Sequence, residues 1–107
     1  SYGGDKAIFG FGLNNAGGKI SITNLVNSSG VVASDVSGVG TARGLISAAS
    51  YGGDKAIFAY GDSGATNAEG ATNLSNLVNS SGVVASDVTG VGTSRFGLAA
   101  AGYSNAA

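Results

Sequence analysis

The sequence contains no cysteine, histidine, proline, methionine or tryptophan. Without thiols there is no disulfide and no thiolate metal site. Without histidine as well, most nucleophile–base pairs and most transition-metal sites are excluded. The missing proline leaves nothing rigid to offset the chain entropy of twenty glycines among 107 residues. Charge is also scarce: 10% of residues carry one, five basic against six acidic, for a formal net charge of −1. Ordinary intracellular domains carry about 25%. The basic residues Lys6, Lys19, Arg43, Lys55 and Arg95 are scattered, which excludes a phosphate-neutralising patch for nucleic acid and a basic surface for anionic lipid. No apolar run approaches the roughly 20 residues of a membrane-spanning helix, so no membrane insertion is expected, and no signal peptide is visible. The first residue is Ser1 rather than methionine, and the chain reads as a processed product or a part of a longer one.

What is present is small, neutral and hydroxyl-rich, with 43% hydrophobic residues and a mean hydropathy of +0.25. That apolar content opposes a disordered reading. The length suits one small domain, and a lone copy of this size buries a modest fraction of its surface. Oligomerisation is the remaining stabiliser.

The chain repeats itself. Residues 1–9 recur unchanged at 50–58, residues 25–36 recur at 77–88, and 38–43 (Gly-Val-Gly-Thr-Ala-Arg) return at 90–95 with Ser94 replacing Ala42. The first block is offset by 49 positions and the second by 52, so the second copy carries three extra residues between them. They fall within 59–72, which is read as a loop together with its counterpart 10–19. The division is residues 1–49 for repeat 1, 50–102 for repeat 2, and 103–107 for the start of a third repeat or a tail.

Each repeat reads as four short strands. Lys6–Gly10 and Lys55–Tyr60 follow a Tyr-Gly-Gly-Asp turn; Lys19–Leu25 alternates Ile20 and Ile22 with Ser21 and Thr23, and Asn73–Val78 is its partner. Gly30–Ser34 and Gly82–Ser86 carry paired valines after an Asn-Ser-Ser-Gly turn, and Leu45–Ala49 and Leu98–Ala101 are built from small residues. The fold class expected is all-β: two blade-like, four-stranded antiparallel repeats of about fifty residues.

Residues 95–101 (Arg-Phe-Gly-Leu-Ala-Ala-Ala) resemble the first strand of a kelch-type propeller blade, and 43–58 resemble its first two strands. Nearly the whole chain is similar to tandem repeats of large phage and environmental microbial proteins, often tail- or surface-associated. The resemblance implies an extracellular or virion-surface location. In kelch order, residue 1 falls at the second strand of a blade and the C-terminus supplies the first strand of the next. Two blades cannot close a ring that needs about four to eight, and open strand edges template pairing with another chain. Strand exchange between copies is therefore expected, with Leu98, Ala99, Ala100 and Ala101 of one copy beside Lys6, Ala7, Ile8 and Phe9 of the next. It gives a ring if the rotation closes and a filament otherwise. The partners expected are other copies of the chain and, on the alternative reading, glycans.

No catalytic centre is expected, and no cofactor. Asp5/Asp54 and Asp35/Asp87 are repeat-equivalent carboxylates, read as turn-forming residues. Gly12 to Lys19 lacks the phosphate-loop spacing. Asp62, Asn67 and Glu69 could approach a calcium ion but match no EF-hand. Arg43 and Arg95, closing equivalent blocks, are candidate ligand residues for a glycan or carboxylate, in the alternative reading of a lectin-like module of a phage tail or adhesin; otherwise they tie loops together, to Asp35 or Asp87. Asn27, Asn73 and Asn79 fit the glycosylation acceptor pattern. Tyr2, Tyr51, Tyr103, Phe9 and Phe58 are read as core between repeats.

Overall fold

The computed structural model describes residues 1–64 and 70–103. Among them there is no helix, and five strands form: β1 Ala7–Gly10, β2 Thr23–Val26, β3 Ser47–Tyr51, β4 Lys55–Ala59 and β5 Ser75–Val78. β1 and β2 make a two-stranded antiparallel sheet; β3, β4 and β5 make a three-stranded one in chain order. The protein is all-β, but the strands number five in sheets of two and three.

The difference lies in how strands end. The expected strand at Leu45–Ala49 is displaced to Ser47–Tyr51 because Leu45 has a φ of 52° and leaves the pleat. Phe11 and Tyr60, at equivalent positions, have φ of 63° and 65° and precede glycines at 108° and 96°, so β1 stops at Gly10 and β4 at Ala59. The Lys19–Leu25 expectation shrinks to Thr23–Val26, with the Lys19 backbone in an isolated bridge to Leu13, and Asn73–Val78 likewise begins at Ser75. Gly30–Ser34 and Gly82–Ser86 are not ladders. They give isolated bridges, Val26 to Val32 and Thr23 to Val36, repeated as Val78 to Val84 and Ser75 to Val88. Between each bridge pair the outer segment carries one residue more than its partner, a bulge. Asn24 and Asn76 donate to the carbonyls of Ala33 and Ala85 there, at 3.1 and 3.2 Å.

The hairpin between β3 and β4 closes through Gly52 and Gly53, with φ of 64° and 82°. Two successive left-handed residues are cheap only for glycine. Gly3 and Gly4 repeat the geometry before β1, and Gly3 N–H donates to Asp54 O at 2.6 Å, so the two turns stack. Leu98–Ala101, the sequence match to the start of β3, forms no strand. It runs beside β3: Gly97 N–H donates to Leu45 O at 3.0 Å, and Ser47 Oγ donates to Leu98 O.

The core lies between repeats. Tyr2 and Phe11 come from the first copy, and Ala56, Phe58 and Val78 from the second. The Phe11 and Phe58 rings are 5.1 Å apart and tilted by 55°. Neither thin sheet can bury its own face, so the two bury each other's. The boundary near residue 49 falls inside β3, whose partner is β4. The first strand of the second sheet is thus supplied from before that boundary.

Candidate functional site

Arg43 is the largest fully buried side chain described, with 0% exposure. Its Nε donates to Thr41 O at 2.9 Å, which curls the side chain back over its own loop. Nη1 then reaches into the second repeat, donating to Tyr60 O and Leu74 O at 3.1 Å each, and Nη2 donates to Asn76 Oδ1. The guanidinium carbon lies 4.8 Å from the centre of the Phe11 ring. Three of these hydrogen bonds cross the junction. The left-handed turn at Tyr60 occurs at the residue whose carbonyl receives Arg43.

Asn76 is also fully buried, and its Nδ2 donates to Ala85 O and to Asp87 Oδ1, the latter at 2.9 Å. Asp87 in turn accepts from the Thr41 N–H at 3.1 Å and the Thr41 hydroxyl at 2.6 Å. Partial burial pushes the Asp87 carboxyl up, but the Thr41 and Asn76 hydrogen bonds and the Arg43 charge outweigh it and hold it below the usual carboxylate value. Burial pushes Arg43 down, against the pull of Asp87. The loop carrying Thr41 passes this network through Gly40, where an added Cβ would lie 2.5 Å from Asn76 Nδ2 and 2.6 Å from Asp87 Oδ1. An apolar crevice beside it is lined by Leu25, Val36 and Val39 of the first copy and Gly82, Val83 and Val84 of the second. A buried ion pair also links the two copies, Lys19 Nζ to Asp62 Oδ2 at 3.7 Å.

The same residue types recur on the two outer faces with their environments inverted. Arg95, matching Arg43, is exposed; it donates to Thr93 O at 3.0 Å and stacks 4.0 Å from the Tyr60 ring. Tyr51 is 38% exposed where Tyr2 is 4%, and Val91 is 76% exposed where Val39 is half-buried. These belong to the trailing face of repeat 2. On the leading face of repeat 1, Phe9 is 64% exposed where Phe58 is 3%. Asn24 there already donates to Ala33 O and to Asp35 Oδ1, at 3.1 and 2.8 Å, reproducing the Asn76–Asp87 pair.

The remaining candidates are placed as follows. Asn27 and Asn79 are exposed, and each Oδ1 accepts two backbone N–H groups of its own turn. Asn73 is half-buried and its Nδ2, the atom a glycan would take, donates to Gly92 O at 2.9 Å. Asp62 is buried and accepts from the N–H groups of Gly64 and Gly70; Asn67 and Glu69 lie outside the described residues. Among the described residues no group of three carboxylates or other metal ligands converges. Asp5 and Asp54 pair with the neighbouring Lys6 and Lys55, while Asp35 and Asp87 bond the strand asparagines. The turn-closing role expected of these carboxylates falls instead to Asn14, Asn27, Asn79 and Asp62.

Sequence reasoning missed Asn76 and Thr41. The available signal was duplication: Asn24/Asn76 and Thr41/Thr93 are polar and repeat-equivalent, and each asparagine directly precedes the Leu-Val pair of its strand. No protein-family model matches this chain, and a search of curated proteins returns no match.

Proposed function

We propose that the chain is a non-catalytic structural module that joins head to tail with further copies of itself by β-strand pairing, building an extracellular or virion-associated fibre or a closed ring. One observation carries this reading. β4 is flanked by β3 and β5, whereas its repeat equivalent β1 pairs with β2 alone, and Leu98–Ala101, which matches the start of β3, has no strand partner among the described residues. The open edge of β1 and a segment whose sequence matches the strand that fills the equivalent edge of β4 are complementary. In the assembly Leu98, Ala99, Ala100 and Ala101 lie beside Lys6, Ala7, Ile8 and Phe9 of the neighbour. The kelch-like resemblance supports the same reading, since blades of that kind complete one another with strands from distant parts of the chain. The lectin-like alternative is less well supported: Arg43 is buried with its donors turned inward, so no ligand site recurs in each repeat.

The test is electron microscopy of the purified protein together with hydrogen exchange at the Ala7–Phe9 amides over a range of protein concentrations. Filaments or rings, with protection of those amides rising with concentration, are expected. Monomers at every concentration, with unchanged exchange, defeat the proposal.

A further inference from the structure

Thr93, Arg95, Asn24 and Asp35 do little in the isolated chain, yet each repeats a residue of the Arg43 network. The matching is close in geometry as well as in type. Gly92 and Gly40 both have φ of 84°, and Arg95 curls back onto Thr93 O, through Nη1 where Arg43 uses Nε on Thr41 O. On the other face, Phe11 has the left-handed φ of Tyr60, and Asn24 holds Asp35 as Asn76 holds Asp87. Among the described residues Phe11 O and Asn24 Oδ1 accept no hydrogen bond, and Thr93 N–H and Oγ donate none. Donors and one positive charge stand on the trailing face; acceptors and one negative charge stand on the leading face.

We infer that the trailing face receives the leading face of a second copy through a polar latch that reproduces the internal junction. In it the Arg95 guanidinium donates to Phe11 O, Ile22 O and Asn24 Oδ1 of the second copy, and the Thr93 N–H and hydroxyl donate to its Asp35 carboxylate. The inference rests on the head-to-tail reading above and adds its specificity. The backbone carbonyls would accept from any donor, but Asn24 and Asp35 require a fork and a hydroxyl at the spacing that Arg95 and Thr93 supply. The occupant is a second copy because the first copy already binds the second repeat in this way within the chain. Apolar pairing accompanies the latch: Tyr60 stands where Phe11 does, facing Phe9 as Phe11 faces Phe58, and Val91 stands where Val39 lines the crevice. The latch has a direction, so it permits head-to-tail contacts and disfavours head-to-head ones, where carboxylate would meet carboxylate.

The test uses two variants of the full chain, Arg95→Ala and Asp35→Lys, each changing one exposed residue whose side chain makes no hydrogen bond in the Arg43 network, with far-UV circular dichroism to confirm the wild-type fold. In sedimentation velocity the wild type is expected to form concentration-dependent oligomers. Each variant alone should associate about 30-fold more weakly or worse, the effect of losing an interface hot spot. Mixed in equal amounts, the two should form a dimer and nothing larger, because one native junction remains, between Arg95 of the Asp35→Lys chain and Asp35 of the Arg95→Ala chain. Wild-type oligomers that survive both substitutions would overturn the latch and leave strand pairing standing. Variants that both weaken assembly but do not dimerise when mixed would overturn its polarity. A wild type that stays monomeric at all concentrations would overturn the head-to-tail reading and the latch together.

Discussion

Arg43→Ala and Arg95→Ala remove the same side chain from the same repeat position, and the structure assigns them very different costs. At Arg43 the loss leaves Tyr60 O and Asn76 Oδ1 without their donor inside the junction, while Leu74 O keeps the Tyr60 N–H at 2.8 Å. An orphaned buried acceptor costs about 1–3 kcal/mol, so the two acceptors left at this junction cost about 2–6 kcal/mol together. Water entering the vacated space recovers part of this. At Arg95 the loss is one local bond to Thr93 O and an exposed contact with the Tyr60 ring, about 0.5–1 kcal/mol. Urea unfolding followed by far-UV circular dichroism, at a concentration where the chain sediments as a monomer, separates them. With a slope of about 1–2 kcal/mol per molar, a difference of about 2 kcal/mol or more sets the two midpoints at least about 1 M apart. Total stability for a chain of this size is about 5–15 kcal/mol, so Arg43→Ala removes much of it. Arg43→Lys, a point charge without the planar fork, should restore less than half of the loss. Equal midpoints for the two alanine variants would refute the account of the junction.

Gly40→Ala and Gly92→Ala form a second matched pair: both carry φ of 84°, but only the Gly40 Cβ meets Asn76 and Asp87, whereas at Gly92 the nearest atom is Tyr60 Oη at 3.3 Å. Thermal melts should show both losing the backbone cost of about 1–2 kcal/mol, with Gly40→Ala losing clearly more and Gly92→Ala impairing assembly instead. Asp87, whose folded pKa is depressed, stabilises the fold above its unfolded value of about 3.9, and that contribution disappears as pH falls through the folded value. Asp87→Asn should therefore be less stable than wild type at pH 7 and lose less on acidification from pH 5 to pH 2, as read by unfolding midpoints across that range.

The all-β class and the repeat were legible because both are local or periodic properties. Gly52-Gly53 announces a hairpin, the Asn27 turn recurs at Asn79, and identical blocks imply identical units. The strand ends were not legible, since nothing in the identity of Phe11, Leu45 or Tyr60 signals a left-handed backbone; tertiary contacts impose it. Neither was the site. Arg43 and Arg95 read alike, and one is buried because a second repeat follows it in space. Asn76 gives no sign in the sequence that it is the centre of the network, and a buried polar residue in such a strand is tolerated only if its hydrogen bonds are met, here in part across the junction.

That dependence on the neighbouring unit has an energetic consequence for the whole molecule. In a stacked repeat protein, stability is close to a sum of an intrinsic term per repeat and a term per interface. Here the intrinsic term is unfavourable: sheets of four- and five-residue strands, rich in glycine, with the buried aromatic and arginine contacts lying between copies rather than within them. Two repeats share one such interface. Two chains joined through the proposed latch would hold four repeats and three interfaces, and a long array approaches one interface per repeat, with each added junction ordering side chains and a short strand but folding no new repeat. In such an assembly the favourable term would grow faster than the unfavourable one as copies join, and Phe9, Val91 and Arg95, exposed in the single chain, would be the surfaces through which it grows.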